Sequence, residues 1–163
     1  PGDTAVLTQM LNNVVVETLG NTCVPTLRSD DFFVHLCSHL YKEATTLPWV
    51  EMMRDMTMYK YCDIYMLLNE APKDKVDCFF NRAKELGMEK VCAFTVVQMS
   101  MLFQFENTYA VSVAEGILNS DPMFIHLIIS PKEKKKYVFT QKDIEKRFFA
   151  DNRRKLLQEV KSQ

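Results

Sequence analysis

The stretch "HLCSH" brings His35, Cys37 and His39 within five positions, a spacing that invites a metal-site reading. On a helix His35 and His39 share a face with Asp31, while Cys37 points away from them. A structural zinc site needs further ligands at close spacing. Ser38 and Lys42 occupy that face instead and mark it as the solvent side of an amphipathic helix, so no metal is expected. Glu159, Val160 and Lys161 form the E-x-K triplet of some metal nucleases. Those sites place it on a strand beside another acid, whereas here it falls at the end of a helical pattern. Nucleophilic catalysis needs a Ser or Cys on a strained turn with a base nearby. Three histidines and no G-x-S-x-G give it no support. Phosphate-cradling loops need clustered glycines, and Gly2, Gly20, Gly87 and Gly116 are isolated. The residues therefore announce no catalytic centre and no cofactor, and the expectation is that the protein is not an enzyme.

Two surfaces could instead recognise a partner. The run "EMMRDMTMYKYCDIYM" places soft, adaptable methionines beside aromatic anchors, and Trp49, Met52, Met53, Met56 and Tyr59 are the candidate protein-binding residues. Charge marks the second surface. Residues 1–130 hold nine Lys or Arg against sixteen Asp or Glu, whereas residues 131–163 hold eleven against five. Such a basic segment can dock on the acidic body or face an acidic partner. Lys132, Lys134, Lys135, Lys136, Arg153 and Arg154 are the candidate nucleic-acid contacts, although Tyr137 alone is thin for base stacking.

Composition bounds the elements that position these residues. With 163 residues, 47% hydrophobic and 25% charged, the chain fits one ordinary globular domain with a sizeable core. It begins Pro1-Gly2-Asp3 without an initiator Met, which suggests a domain excised from a longer protein. The five cysteines (Cys23, Cys37, Cys62, Cys78, Cys92) are scattered and odd in number, with no C-x-x-C pair. They read as buried thiols in a reducing compartment, hence an intracellular protein, cytoplasmic or nuclear. Residues 1–20 lack the pattern of a signal peptide.

The segment 91–105, "VCAFTVVQMSMLFQF", is uncharged for fifteen positions. That is short of the about 20 residues of a membrane span, so no membrane partner is expected, and its composition favours a helix enclosed by other helices over a strand. Helix punctuation surrounds it. Asp3 caps a helix that Gly20 closes, Ser29-Asp30-Asp31 opens the next, and Pro48 opens a third. Residues 59–71 and 73–86 read as helices separated by Pro72, and residues 106–120 as another. Residues 121–130 read as a short helix with a strand as the alternative, "KEKKKYVF" as a loop, and residues 141–162 as the last helix.

The hairpins 59–86 and 90–119 recur at roughly 30 residues. In that spacing, and in "FFNRAKELGMEK", the chain resembles tetratricopeptide and pentatricopeptide repeat proteins. The resemblance implies architecture only and transfers no functional residue. The expectation is an all-α fold, a compact bundle or short stack of about seven or eight helices in antiparallel hairpins, spanning residues 1–163 as a single helical domain with a basic segment at 131–163. The expected function is a non-catalytic protein-interaction or self-association module, a scaffold or adaptor that binds a protein partner or forms a homo-oligomer. The alternative is an RNA-binding helical-repeat module that uses the basic segment.

Overall fold

A computed structural model describes residues 2–160, with side chains from residue 4 onward. The elements run α1 (Gly2–Leu11), β1 (Val15–Leu19), β2 (Thr22–Thr26), α2 (Ser29–Ala44), α3 (Leu47–Glu51), α4 (Met58–Leu68), α5 (Lys73–Glu85), α6 (Glu89–Leu102), α7 (Thr108–Leu118), β3 (Leu127–Ser130), β4 (Lys135–Phe139), α8 (Ile144–Phe148) and β5 (Leu157–Glu159).

The uncharged segment is the central helix α6, which packs against α2, α4, α5 and α7. Every residue from Cys92 to Met99 is buried. Each large apolar side chain enclosed there contributes about 2 kcal/mol relative to exposure. Its polar residues are satisfied. Thr95 Oγ1 donates to the Val91 carbonyl at 3.1 Å, and Gln98 accepts from the Tyr61 hydroxyl at 2.7 Å. Around it, α4, α5 and α7 lie close to where their apolar spacing puts them. Gly87 closes α5 in the left-handed conformation, at φ +67°. No helix among the described residues is long and apolar enough to cross a membrane.

The all-α expectation fails at both ends of the chain. Residues 15–26, divided in the sequence reading between a helix tail and a loop, form an antiparallel hairpin with Val15 opposite Thr26 and Leu19 opposite Thr22. Val14-Val15-Val16 is a β-branched run that loses side-chain freedom in a helix and fits a pleated strand. Gly20, taken as a helix stop, sits at φ +61° as the first central residue of a two-residue turn, and Asn21 completes it. A left-handed glycine serves either purpose, so its presence does not identify which. At the other end β3, β4 and β5 form a three-stranded antiparallel sheet in that order. β4 falls on the expected loop and β5 on the expected last helix, which is reduced to the five residues of α8. Alternation in "KKYVF" turns Tyr137 and Phe139 inward onto a second core with Leu47, Val50 and Ile128. The fold is mixed α and β. A helical body carries a hairpin at one end of the chain and a small sheet at the other, and this replaces the helical-repeat architecture.

Candidate functional site

A groove of about 600 Å³ opens between the start of α2 and α5, with Arg28, Asp30, Asp74, Cys78 and Asn81 among its walls. It continues into a recess of about 460 Å³ bounded by Val15, Glu17 and Phe32, with Arg28, Asp30 and Cys78 shared between the two. Packing sets its shape. The rings of Phe33 on α2 and Phe79 on α5 stack at 4.9 Å with a 13° interplanar angle. That contact holds the first turn of α2 against the middle of α5. Asp31 then meets Arg82, whose Nε donates to Asp31 Oδ1 at 2.7 Å, and Asn13 donates to the other oxygen at 3.1 Å. Arg82 also reaches Glu85 at 3.0 Å. The hydrogen bond to Asp31 holds the Arg82 guanidinium above its ordinary pKa. Arg28 grips Asp30 with two hydrogen bonds, of 3.2 and 3.1 Å, and the Asp31 amide donates to Asp30 at 3.0 Å.

The result is two adjacent buried carboxylates, each bound to a guanidinium. Asp31 is fully enclosed, whereas Arg28 keeps 47% of its side chain in solvent. The acids at the start of α2 also face the positive end of its dipole. The exposed rim is acidic, from Asp74, Asp77 and Glu85. Asp77 accepts the Tyr109 hydroxyl at 2.6 Å. Guanidinium groups present planar, paired donors that suit phosphate oxygens. An acidic rim repels a bare polyphosphate and tolerates one whose charge a cation has reduced.

The residues singled out from sequence lie elsewhere. Met52, Met53 and Tyr59 are exposed around the end of α3 and the start of α4, Trp49 is half-buried, and Met56 is in the core. None of the five lines the groove. Lys132, Lys134, Lys135 and Lys136 are exposed at the β3–β4 turn, and Lys135 pairs with Glu159 at 2.9 Å. Arg153 is buried on Asp55 and offers no free face. Arg154 stacks on Tyr137 at 4.5 Å and reaches Glu51 at 3.3 Å. His35 and His39 do not join Asp31, which faces α5; His39 contacts Lys60 and Glu43 instead. Sequence reasoning used Asp30 and Asp31 as helix-start acids, and Asp31 as a face-mate of His35 and His39. The nearby Arg28 was a visible signal, but Arg82, 51 positions beyond Asp31, was not.

The model of a family described as uncharacterised nucleotidyltransferase matches residues 3–104. The chain belongs to that family. The match runs from α1 through α6 and includes every residue that lines the groove and its recess. No curated protein and no solved structure matches the chain. Membership in a nucleotidyltransferase family overturns the reading as a non-catalytic scaffold and the expectation that the protein is not an enzyme, and the mixed fold removes the helical-repeat architecture of the alternative. The error has a simple source. Local spacing does not reveal this groove, because residues of α2 and α5 that are distant in the sequence assemble it.

Transfer of nucleotidyl groups is commonly assisted by divalent ions held on carboxylates. Among the described residues no group of three or more His, Cys, Asp or Glu converges to hold one. The oxygens of Asp30 and Asp31 are occupied by Arg28, Arg82, Asn13 and a backbone amide. The groove carboxylates of a single chain do not fit such an ion.

Proposed function

We propose that this chain serves nucleotidyl transfer and that the groove between α2 and α5 is the surface that meets the nucleotide. The observation that carries this reading is that the nucleotidyltransferase match covers the whole groove lining. Arg28 is the groove's most available phosphate donor, because it is half exposed and its partner Asp30 lies in the same wall. Asn81 adds a neutral polar side chain beside it. The acidic rim selects a cation-complexed nucleoside triphosphate over the free anion. Free thiols at all five cysteines support an intracellular setting.

The test is titration with a fluorescent nucleoside triphosphate analogue in the presence of Mg²⁺. Wild type binds, and Arg28→Ala weakens binding about tenfold through loss of a charge-assisted contact. Met66→Ala, an exposed position outside the groove, binds as wild type. Absence of binding by adenine, guanine, cytosine and uracil nucleotides at millimolar concentration would refute the assignment.

A further inference from the structure

The seam where α8 and the C-terminal sheet meet the helical body encloses three charged side chains, Asp55, Arg147 and Arg153. None of them lines the groove. Two guanidinium groups against one carboxylate leave this seam with one positive charge in excess. Arg153 takes the nearby acceptors, since it donates to Asp55 and to the carbonyls of Arg147 and Phe148. The Gln98 side-chain carbonyl is taken by the Tyr61 hydroxyl. Arg147 is only 2% exposed, and its Nε is buried without a partner. Its side chain makes no hydrogen bond or ion pair among the described residues. One face of its guanidinium lies over the Phe139 ring at 4.6 Å, which leaves the N–H edges to be satisfied.

The other titratable neighbours do not supply the missing negative charge. Asp143 caps α8 and pairs with Lys146. Tyr61 is held neutral, because burial raises the pKa of its phenol. His126 is close enough for the charges of Arg147 and Lys142 to act on it, and its own Nδ1 is buried without a partner. A buried charge without a partner is costly, and folded proteins seldom leave a buried donor unsatisfied. Water satisfies a donor but does not balance a charge. A compact monovalent anion does both, and it matches a deficit of one charge. The phosphate of a nucleotide is tied to a bulky group, which the enclosure of Arg147 excludes.

We propose that Arg147 binds a small monovalent anion of the chloride class in this seam, with the half-buried His126 on its accessible side, and that the ion fastens α8 and the C-terminal sheet to the helical body. Asp55 and Arg153 already form one tie across the seam, and the anion adds a second at Arg147. The site is apart from the groove and independent of the nucleotidyl-transfer reading. Anion binding and nucleotide binding are measured separately, and either can fail without the other.

Thermal melts at constant ionic strength test it on the whole chain, with sodium gluconate, whose anion is too large to enter, as the reference salt. Replacing gluconate by chloride raises the wild-type Tm by about 4 °C once chloride stands about tenfold above its Kd, and the rise saturates. Arg147→Met, which removes the donor, equals or exceeds wild type in gluconate and gains nothing from chloride. Lys146→Met, at an exposed neighbouring position on α8, keeps the chloride response. Wild-type crystals grown in bromide carry an anomalous peak beside Arg147 Nε, a readout that needs no variant. A wild-type Tm indifferent to the exchange of salts overturns the proposal, as does an equal rise in Arg147→Met. So does a bromide map without a peak at Arg147, which makes water the occupant. A response to phosphate that chloride does not give makes the ligand an oxyanion and also overturns it.

Discussion

Arg147 and Arg153 carry two guanidinium groups into the seam between the C-terminal sheet and the helical body, where Asp55 pairs with Arg153. Arg153 is fully engaged, with hydrogen bonds to Asp55, to the Arg147 carbonyl at 2.9 Å and to the Phe148 carbonyl at 2.8 Å. Arg147 stacks over Phe139 at 4.6 Å, but its Nε is buried without a partner, and burial lowers the pKa of the group. The two residues should therefore respond oppositely to removal of charge. Arg153→Met should cost about 3 kcal/mol, because it strands a buried carboxylate. Arg147→Met should leave stability unchanged or raise it, since an apolar chain of similar length loses no hydrogen bond. Urea midpoints of the two variants check this. His126 lies in the same neighbourhood. Burial, with the charges of Arg147 and Lys142, holds its pKa down to about 4 from an ordinary 6.5. The unfolded chain takes up a proton near pH 6.5 that the folded one refuses until about pH 4. Its contribution to stability is thus complete above that window and lost as the pH falls through it. Asp55, whose carboxyl burial pushes up, acts in the opposite sense. His126→Gln isolates the histidine. Melting temperatures recorded between pH 7 and 4 should fall less steeply in that variant than in wild type.

At the scale of elements, Asn107 joins two hairpins. Its Oδ1 accepts the Ala110 amide at 3.1 Å and caps α7, while Nδ2 donates to the carbonyls of Leu68 at 2.7 Å and Ala71 at 2.9 Å after α4. Asn107→Ala should destabilise by about 2 kcal/mol, combining a lost cap with two lost hydrogen bonds. Asn107→Asp keeps the cap acceptor but sets a carboxylate oxygen against the Leu68 and Ala71 carbonyls, so its urea midpoint should also fall well below that of wild type. Helices α4, α5 and α7 were legible from their apolar spacing, α4 and α5 also from the breaks at Pro72 and Gly87, and α6 from its uncharged run. The strands were not. Val14 and Val15 satisfy a helical stripe when joined to Leu7 and Leu11, and the four-residue repeat does not tell a helix from a helix followed by a strand. In "LIIS" and "KKYVF" each strand is too short to show its period before its partner is known.

For the whole molecule, the C-terminal segment shows why charge alone did not assign a partner. Part of its positive charge is turned inward, with Arg153 on Asp55 and Arg154 on Glu51, and the Ile129 amide donates to the Thr45 carbonyl at 2.7 Å. The basic segment is partly a strap on the acidic body. Stability should also be graded across the fold. Amides of α6 from Phe94 to Val97, enclosed on all sides, should exchange with solvent only through global unfolding, at a free energy equal to that from urea denaturation. Hairpin amides of Val16 and Thr18 should exchange fastest, since their donors face outward from the ladder. Hydrogen exchange followed by NMR reads both limits in one experiment.

The sequence by itself determined the enclosed central helix, the helical hairpins around it and the acids that open α2, because each depends on residues within one or two turns of one another. Tertiary structure decided that Asp31 faces Arg82 and not His35, that Arg153 is a buried strut, and that Val15–Thr26 and Leu127–Phe139 pair as strands. Those outcomes depend on which segments meet across tens of residues. Side-chain periodicity reports the face a residue turns inward, and it carries no information about what that face will find there.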